Sequence, residues 1–169
     1  MKILAIDPGT EKSGWVLYDC ENHEVIDKGI TENVELKHKC SSIHEEFQEI
    51  EVAIERIVSY GMPIGESTIA TIQYIGRLQE RFEMMQVDVT LIPRKEVKKC
   101  VCNNGKAKDA NVRQALIDLF PATGGGAKPQ IGTKKEPGPL YGMSSHAWAA
   151  LGVAITHAVK IGQYKNEIY

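Results

Sequence analysis

Apolar residues run without a break from Ile3 to Ile6, and the run then meets Asp7 and the chain-breaking pair Pro8-Gly9. That pattern predicts a buried strand from Lys2 to Asp7 ending at a turn. Trp15 to Tyr18 and Glu24 to Ile30 predict two further strands, joined by the turn-rich stretch Asp19 to His23, so a meander opens the chain. Val34 to Phe47 reads as a helix and Ile50 to Ile57 as a buried strand. Ile69 to Met85 has the helical period, with Ile72, Ile75, Leu78 and Phe82 on one stripe. Val87 to Ile92 is a fifth strand, followed by a short basic helix near Lys95 to Lys99 and another from Asp109, its N-cap, through Phe120. A glycine- and proline-rich stretch, Pro121 to Gly142, precedes an apolar helix from about Ser145 to Ile161. Strands first and alternating helices afterwards predict an α/β domain with a mixed sheet.

Length favours a single domain over 1–169, since 169 residues can bury a full core but fall short of two ordinary domains. No run of eighteen apolar residues is present and the chain enters a strand at once, so an intracellular, cytoplasmic protein with no membrane partner is expected. Cys20, Cys40, Cys100 and Cys102 lack paired CxxC spacing, which argues for reduced packing thiols over a zinc ribbon. The net charge of −2 hides a division: residues 1–93 hold 8 Lys+Arg against 17 Asp+Glu, and residues 94–169 hold 12 against 5. Within 94–135 the ratio is 10 to 3, which suits either a phosphate backbone or a solvated basic surface.

An acid ending a buried strand needs a partner: a metal ion, a basic side chain or backbone donors at the turn. Asp7 is such an acid. Glu55 is a second, at the carboxyl end of its strand, where sites on open α/β sheets gather. Glu51 shares its face but would sit about 13 Å away along the strand, as a solvated strand start. A salt bridge from Glu55 to Arg56 or a lysine is the structural alternative. His146 opens the final helix behind Ser144 or Ser145, where the helix N-terminus disfavours the protonated ring and keeps it able to bind a metal. Such a histidine equally suits a hydrogen-bonded surface position. Gly124-Gly125-Gly126 with Lys128 lacks the Gly-Lys-Ser/Thr of a phosphate loop, and a flexible lid fits this segment better. Trp15 and Trp148 are most simply core.

Taken in order, Ile6-Asp7-Pro8-Gly9-Thr10 with Gly14, Val52 to Glu55, Ile75 to Leu78, Pro93 to Lys98, Lys108 to Arg113, and His146 to Ile155 resemble the RuvC-type Holliday junction resolvases over nearly the whole chain. Ser59 to Pro63, Lys106 to Asp118 and Gly132 to Gly142 look closest to bacteriophage-encoded members. The resemblance implies an RNase H-like fold with a five-stranded mixed sheet flanked by helices, and a homodimer, with the Ile69 to Met85 helix as its contact surface. It also implies metal-dependent nicking of four-way DNA junctions in the cytoplasm of a bacterial host. Asp7 would bridge two Mg²⁺ ions, Glu55 would bind one, and His146 matches a position filled by Asp or His; Mn²⁺ is the second choice of ion. The family's fourth acid falls three residues later, where this chain has Ala149. Residues three and four apart share a helical face, so an acid there would have reached the same ion.

Lys98, Lys106, Lys108 and Arg113 are the expected phosphate contacts. Tyr60 or Met62, in the loop after the Glu55 strand, is the expected wedge between bases. Ala149 also motivates an alternative, a weakly active or inactive junction-binding protein. Asp7-Pro8-Gly9-Thr10 alone further resembles phosphate loops of actin-like ATPases, but the chain is too short for two such lobes.

Overall fold

The strand the sequence marks most clearly, β1 (Lys2–Asp7), lies at the centre of the sheet, as a strand apolar on both faces should. In this computed structural model, which describes residues 1–164, β2 (Lys12–Asp19) and β3 (Glu24–Glu32) fold back antiparallel on one side of it. On the other side β4 (Ile50–Arg56) and β5 (Val89–Pro93) run parallel to it. Among the described residues the sheet has five strands, in the order β3-β2-β1-β4-β5, and is the mixed, helix-flanked sheet expected. The last five positions of the expected 1–169 domain lie outside the described residues.

Strand alternation divides the core in two. Leu4, Ile6, Leu17, Val52 and Ile54 pack under α1 (Asn33–Phe47) and α2 (Glu66–Met84). Ile3, Ala5, Val16, Ala53 and Ile92 pack under α3 (Arg94–Cys102), α4 (Asp109–Asp118) and α5 (Ser145–Lys160). Eleven of the sixteen residues of α5 are buried, which is why its sequence is apolar nearly all round. Trp15 and Trp148 are core residues, as expected.

Four local expectations are corrected. On α2 the buried stripe is Thr71, Tyr74, Ile75, Leu78 and Phe82, and Ile72 faces outward at 41% exposure. Asp109 is the first residue of α4 and Lys108 holds the N-cap position, because the Asp109 carboxylate is drawn to Arg94 and Lys98. Glu51 is more than a solvated strand start, since its Oε2 lies 3.2 Å from Nε2 of the buried His157. The Pro121 to Gly142 segment is no flexible lid. Backbone bonds from Gly124 N to Pro129 O, Gly125 N to Glu136 O and Gly138 N to Ile131 O tie it together at 2.8–3.0 Å.

Two features aim the chain at the end of β1. Asn33 accepts from Ser13 Oγ at 2.7 Å and donates to the carbonyls of Gly9 and Thr10, which pins the loop that follows Asp7. Gly14, the register partner of Asp7 on β2, has no side chain, and α5 exploits the gap. A Cβ there would come within 2.3 Å of the His146 backbone. The start of α5 therefore sits against the sheet where Asp7 emerges. Gly14→Ala is expected to push that helix start outward and to destabilise the protein by about 1–3 kcal/mol, the usual penalty for overpacking, read as a lower urea midpoint.

Candidate active site at the strand tips

Ile6 pairs with Ile54 in the parallel β1–β4 register, so the next residues on each strand, Asp7 and Glu55, emerge side by side on the same face. Glu55 is in register with Ile92 of β5, and two residues further on the chain turns into α3 at Arg94. Three neighbouring strand tips thus present an acid, an acid and a base. The N-terminal turns of α4 and α5 add Asp109 and His146. All five residues line one open cavity of about 570 Å³, together with Arg113, Trp148 and Ala149.

The carboxylates are wet enough to meet a ligand and dry enough to need one. Only 12% of the Asp7 side chain and 17% of the Glu55 side chain is exposed. Burial pushes the Asp7 pKa up, and the hydrogen bond and charge of His146 oppose it. Glu55 is pushed up to about 7, first by burial and then by the charge of Asp7, with Arg94 opposing. His146 Nδ1 lies 2.8 Å from Asp7 Oδ2. An ionised carboxylate can only accept, so Nδ1 is the donor in this bond and Nε2 is the ring nitrogen left for a ligand. Arg94 Nη1 donates to Glu55 Oε2 at 3.3 Å and Nη2 to Asp109 Oδ1 at 3.0 Å. Lys98 Nζ stands 3.2 Å from the same Asp109 oxygen, and these two cations hold the Asp109 pKa below its ordinary value.

Among the described residues, no group of three or more His, Cys, Asp or Glu side chains is set to hold a metal ion as it stands. Cationic or hydrogen-bonding partners already engage the acids. The donors nevertheless suit a hard divalent cation, since two desolvated carboxylates repel each other in one cavity and an imidazole ring stands beside them.

The sequence-predicted residues divide into three groups. Asp7, Glu55 and His146 come together in the cavity. Arg113 lines it too, its guanidinium carbon 4.8 Å over the Trp148 ring, while Lys98 reaches it only through Asp109. Lys106 and Lys108 are exposed on the approach to α4. Tyr60 and Met62 are 66% and 71% exposed in the loop after β4, outside the cavity, with Lys95 Nζ 6.0 Å from the Tyr60 ring. The partner of Glu55 is Arg94, not Arg56 or a lysine. Sequence reading missed it because the pairing crosses from β4 to β5; the β5 register, once known, points straight to it.

No protein-family model matches the chain. Its fold is that of the RuvC resolvases, an RNase H-like fold: RuvC from Thermus thermophilus superposes with a TM-score of 0.71 at 17% identity, covering 96% of this chain and 98% of that one. The same protein in complex with a Holliday junction substrate gives 0.70. In sequence the chain is similar to the crossover junction endodeoxyribonuclease RuvC of Nitrobacter hamburgensis, at 28% identity over 94% of this chain and 89% of the relative. A Bradyrhizobium RuvC is 27% identical over 94% of this chain and 86% of the relative. The likeness in sequence and the likeness in fold thus point to the same group of proteins. Among the described residues no helix is long and apolar enough to cross a membrane.

The electrostatics predict a pH effect. The folded chain holds the Glu55 proton at about 7 where the unfolded chain releases it near 4.5, so this group favours folding at low pH, and that advantage is lost as pH rises from about 4.5 to about 7. In EDTA, Glu55→Gln is therefore expected to match the wild type at pH 4. At pH 8 it should exceed the wild type in stability, by up to about 3 kcal/mol in urea denaturation.

Proposed function

We propose that this chain is a metal-dependent, structure-selective endonuclease that nicks four-way (Holliday) and other branched DNA junctions by phosphodiester hydrolysis. The observation that carries this reading is the pair of desolvated carboxylates, Asp7 and Glu55, on adjacent strand tips in one open cavity of a RuvC-type fold. Asp7, Glu55 and the Nε2 of His146 would hold divalent cations, Mg²⁺ by donor chemistry with Mn²⁺ second. A pair of ions there would supply a hydroxide near neutral pH and a charge clamp on the leaving oxygen.

The protein's own groups do the rest. Asp7 fixes the His146 ring through Nδ1 and so aims Nε2. Arg113, flattened on Trp148, offers its guanidinium at the rim, where a phosphate would approach. Lys98, Lys106 and Lys108 extend the basic ground beside α4, and Tyr60 or Met62 stands exposed as the wedge at a crossover. A homodimer through the outward face of α2, where Ile69 and Ile72 are exposed, would present two such sites to one junction. A cytoplasmic site of action and a bacteriophage origin complete the reading, the latter resting on the Lys106 to Asp118 and Gly132 to Gly142 segments.

Ala149 favours a second reading. It lines the cavity one helical turn past His146, where a further acid would reach the same ion, so a weakly active or inactive junction binder has a specific observation behind it. Cleavage of an end-labelled four-way junction with Mg²⁺ or Mn²⁺ separates the two. The endonuclease reading expects paired nicks from the wild type, a loss of roughly a hundredfold or more in Glu55→Gln and Asp7→Asn, and a gain in Ala149→Asp. Junction binding without cutting by the wild type and by Ala149→Asp alike would leave the binder.

A further inference from the structure

Arg94 has no part in the proposed chemistry, yet its side chain sits among the acids. The planar fork spans the cavity, with Nη1 3.3 Å from Glu55 Oε2 and Nη2 3.0 Å from Asp109 Oδ1. Its side chain is only 29% exposed, and Lys98 braces the far carboxylate from behind at 3.2 Å. On the near side, Ala149 brings no charge to the same cavity. The charge balance of the site thus depends on a guanidinium bonded to the acid that a metal would need. An arginine cannot shed its proton to make room, so any cation arriving at Glu55 meets a fixed positive charge within a few ångströms.

Asp109 makes displacement feasible. It is 74% exposed and bonds the second arm of the fork, so Arg94 can release Glu55 and keep a partner at the cavity edge. We propose that Arg94 is a counter-ion gate: it neutralises Glu55 while no divalent cation is present, is displaced from Glu55 when one binds, and stays tethered by Asp109. The gate rests on the reading that Glu55 is a metal ligand. It keeps the empty site folded, and it weakens the first ion's hold.

The test is Mn²⁺ binding by the full chain without DNA, followed through the electron paramagnetic resonance signal of the free ion at pH 7.5. Arg94→Gln is expected to bind Mn²⁺ at least tenfold more tightly than the wild type. It should also melt at a lower temperature in EDTA and show a larger rise in melting temperature on adding Mn²⁺. The gain must vanish in Arg94→Gln/Glu55→Gln. Equal or weaker binding by Arg94→Gln overturns the gate while a binding wild type leaves the metal reading intact. If neither binds in the millimolar range, both fall; binding by Arg94→Gln alone supports both. Should Arg94→Gln fail to fold, Arg94→Met decides, because it keeps the packing of the stem and removes the charge. It must then bind Mn²⁺ more tightly than the wild type, and equal or weaker binding overturns the proposal.

Discussion

Two carboxylates placed side by side, with most of their water removed, demand positive charge. At a spacing of about 5 Å and an effective dielectric near 20, their repulsion alone is about 3 kcal/mol, and desolvation adds to it. Asp7 and Glu55 are held in that position by the parallel register of β1 and β4, which the buried runs Ile3 to Ile6 and Val52 to Ile54 leave no freedom to shift. Everything else in the cavity answers that demand. His146 comes to Asp7 and Arg94 to Glu55, and Arg94 needs Asp109, which in turn takes Lys98.

The supporting structure follows from the same constraint. Bringing His146 to Asp7 requires the start of α5 to touch β2, which only a glycine at position 14 permits. Bringing Arg94 to Glu55 requires α3 to begin directly at the end of β5, with no linker between them. The helix on the far face, α2, meets the site only through the loop after Asp7, where Thr10 bonds Ser67 and Thr71, and through Tyr74, which bonds the Asn33 carbonyl. It completes the second core and leaves Ile69 and Ile72 exposed. One face of the sheet therefore carries the clustered acids and their cations, and the other carries the second core.

Much of this is legible in the sequence. Periodicity located the strands and helices within a few residues, because each buries a stripe or face that the side chains declare. Asp7, Glu55 and His146 were found because an acid at a strand tip and a histidine at a helix start are local signals. The Arg94 bridge from Glu55 to Asp109 is not legible there, since it depends on which strands and helices become neighbours. Ile72 misled for a related reason: the helical period fits two adjacent stripes, and Thr71 and Tyr74 take the buried positions in its place. The Gly124 to Gly138 segment misled in the opposite sense. Its glycines signal close backbone approach rather than mobility, and a Cβ at Gly132 would lie 2.1 Å from Gly138 N.

The central claim is that Asp7 and Glu55 share divalent cations, and the most direct measurement is anomalous X-ray diffraction from crystals soaked in Mn²⁺. The account predicts a manganese peak between the two carboxyl groups, about 2.2 Å from an oxygen of each, with the Glu55 carboxylate released from Arg94. A well-occupied peak elsewhere, or none while Arg94 still bridges Glu55 and Asp109 at saturating Mn²⁺, would contradict it.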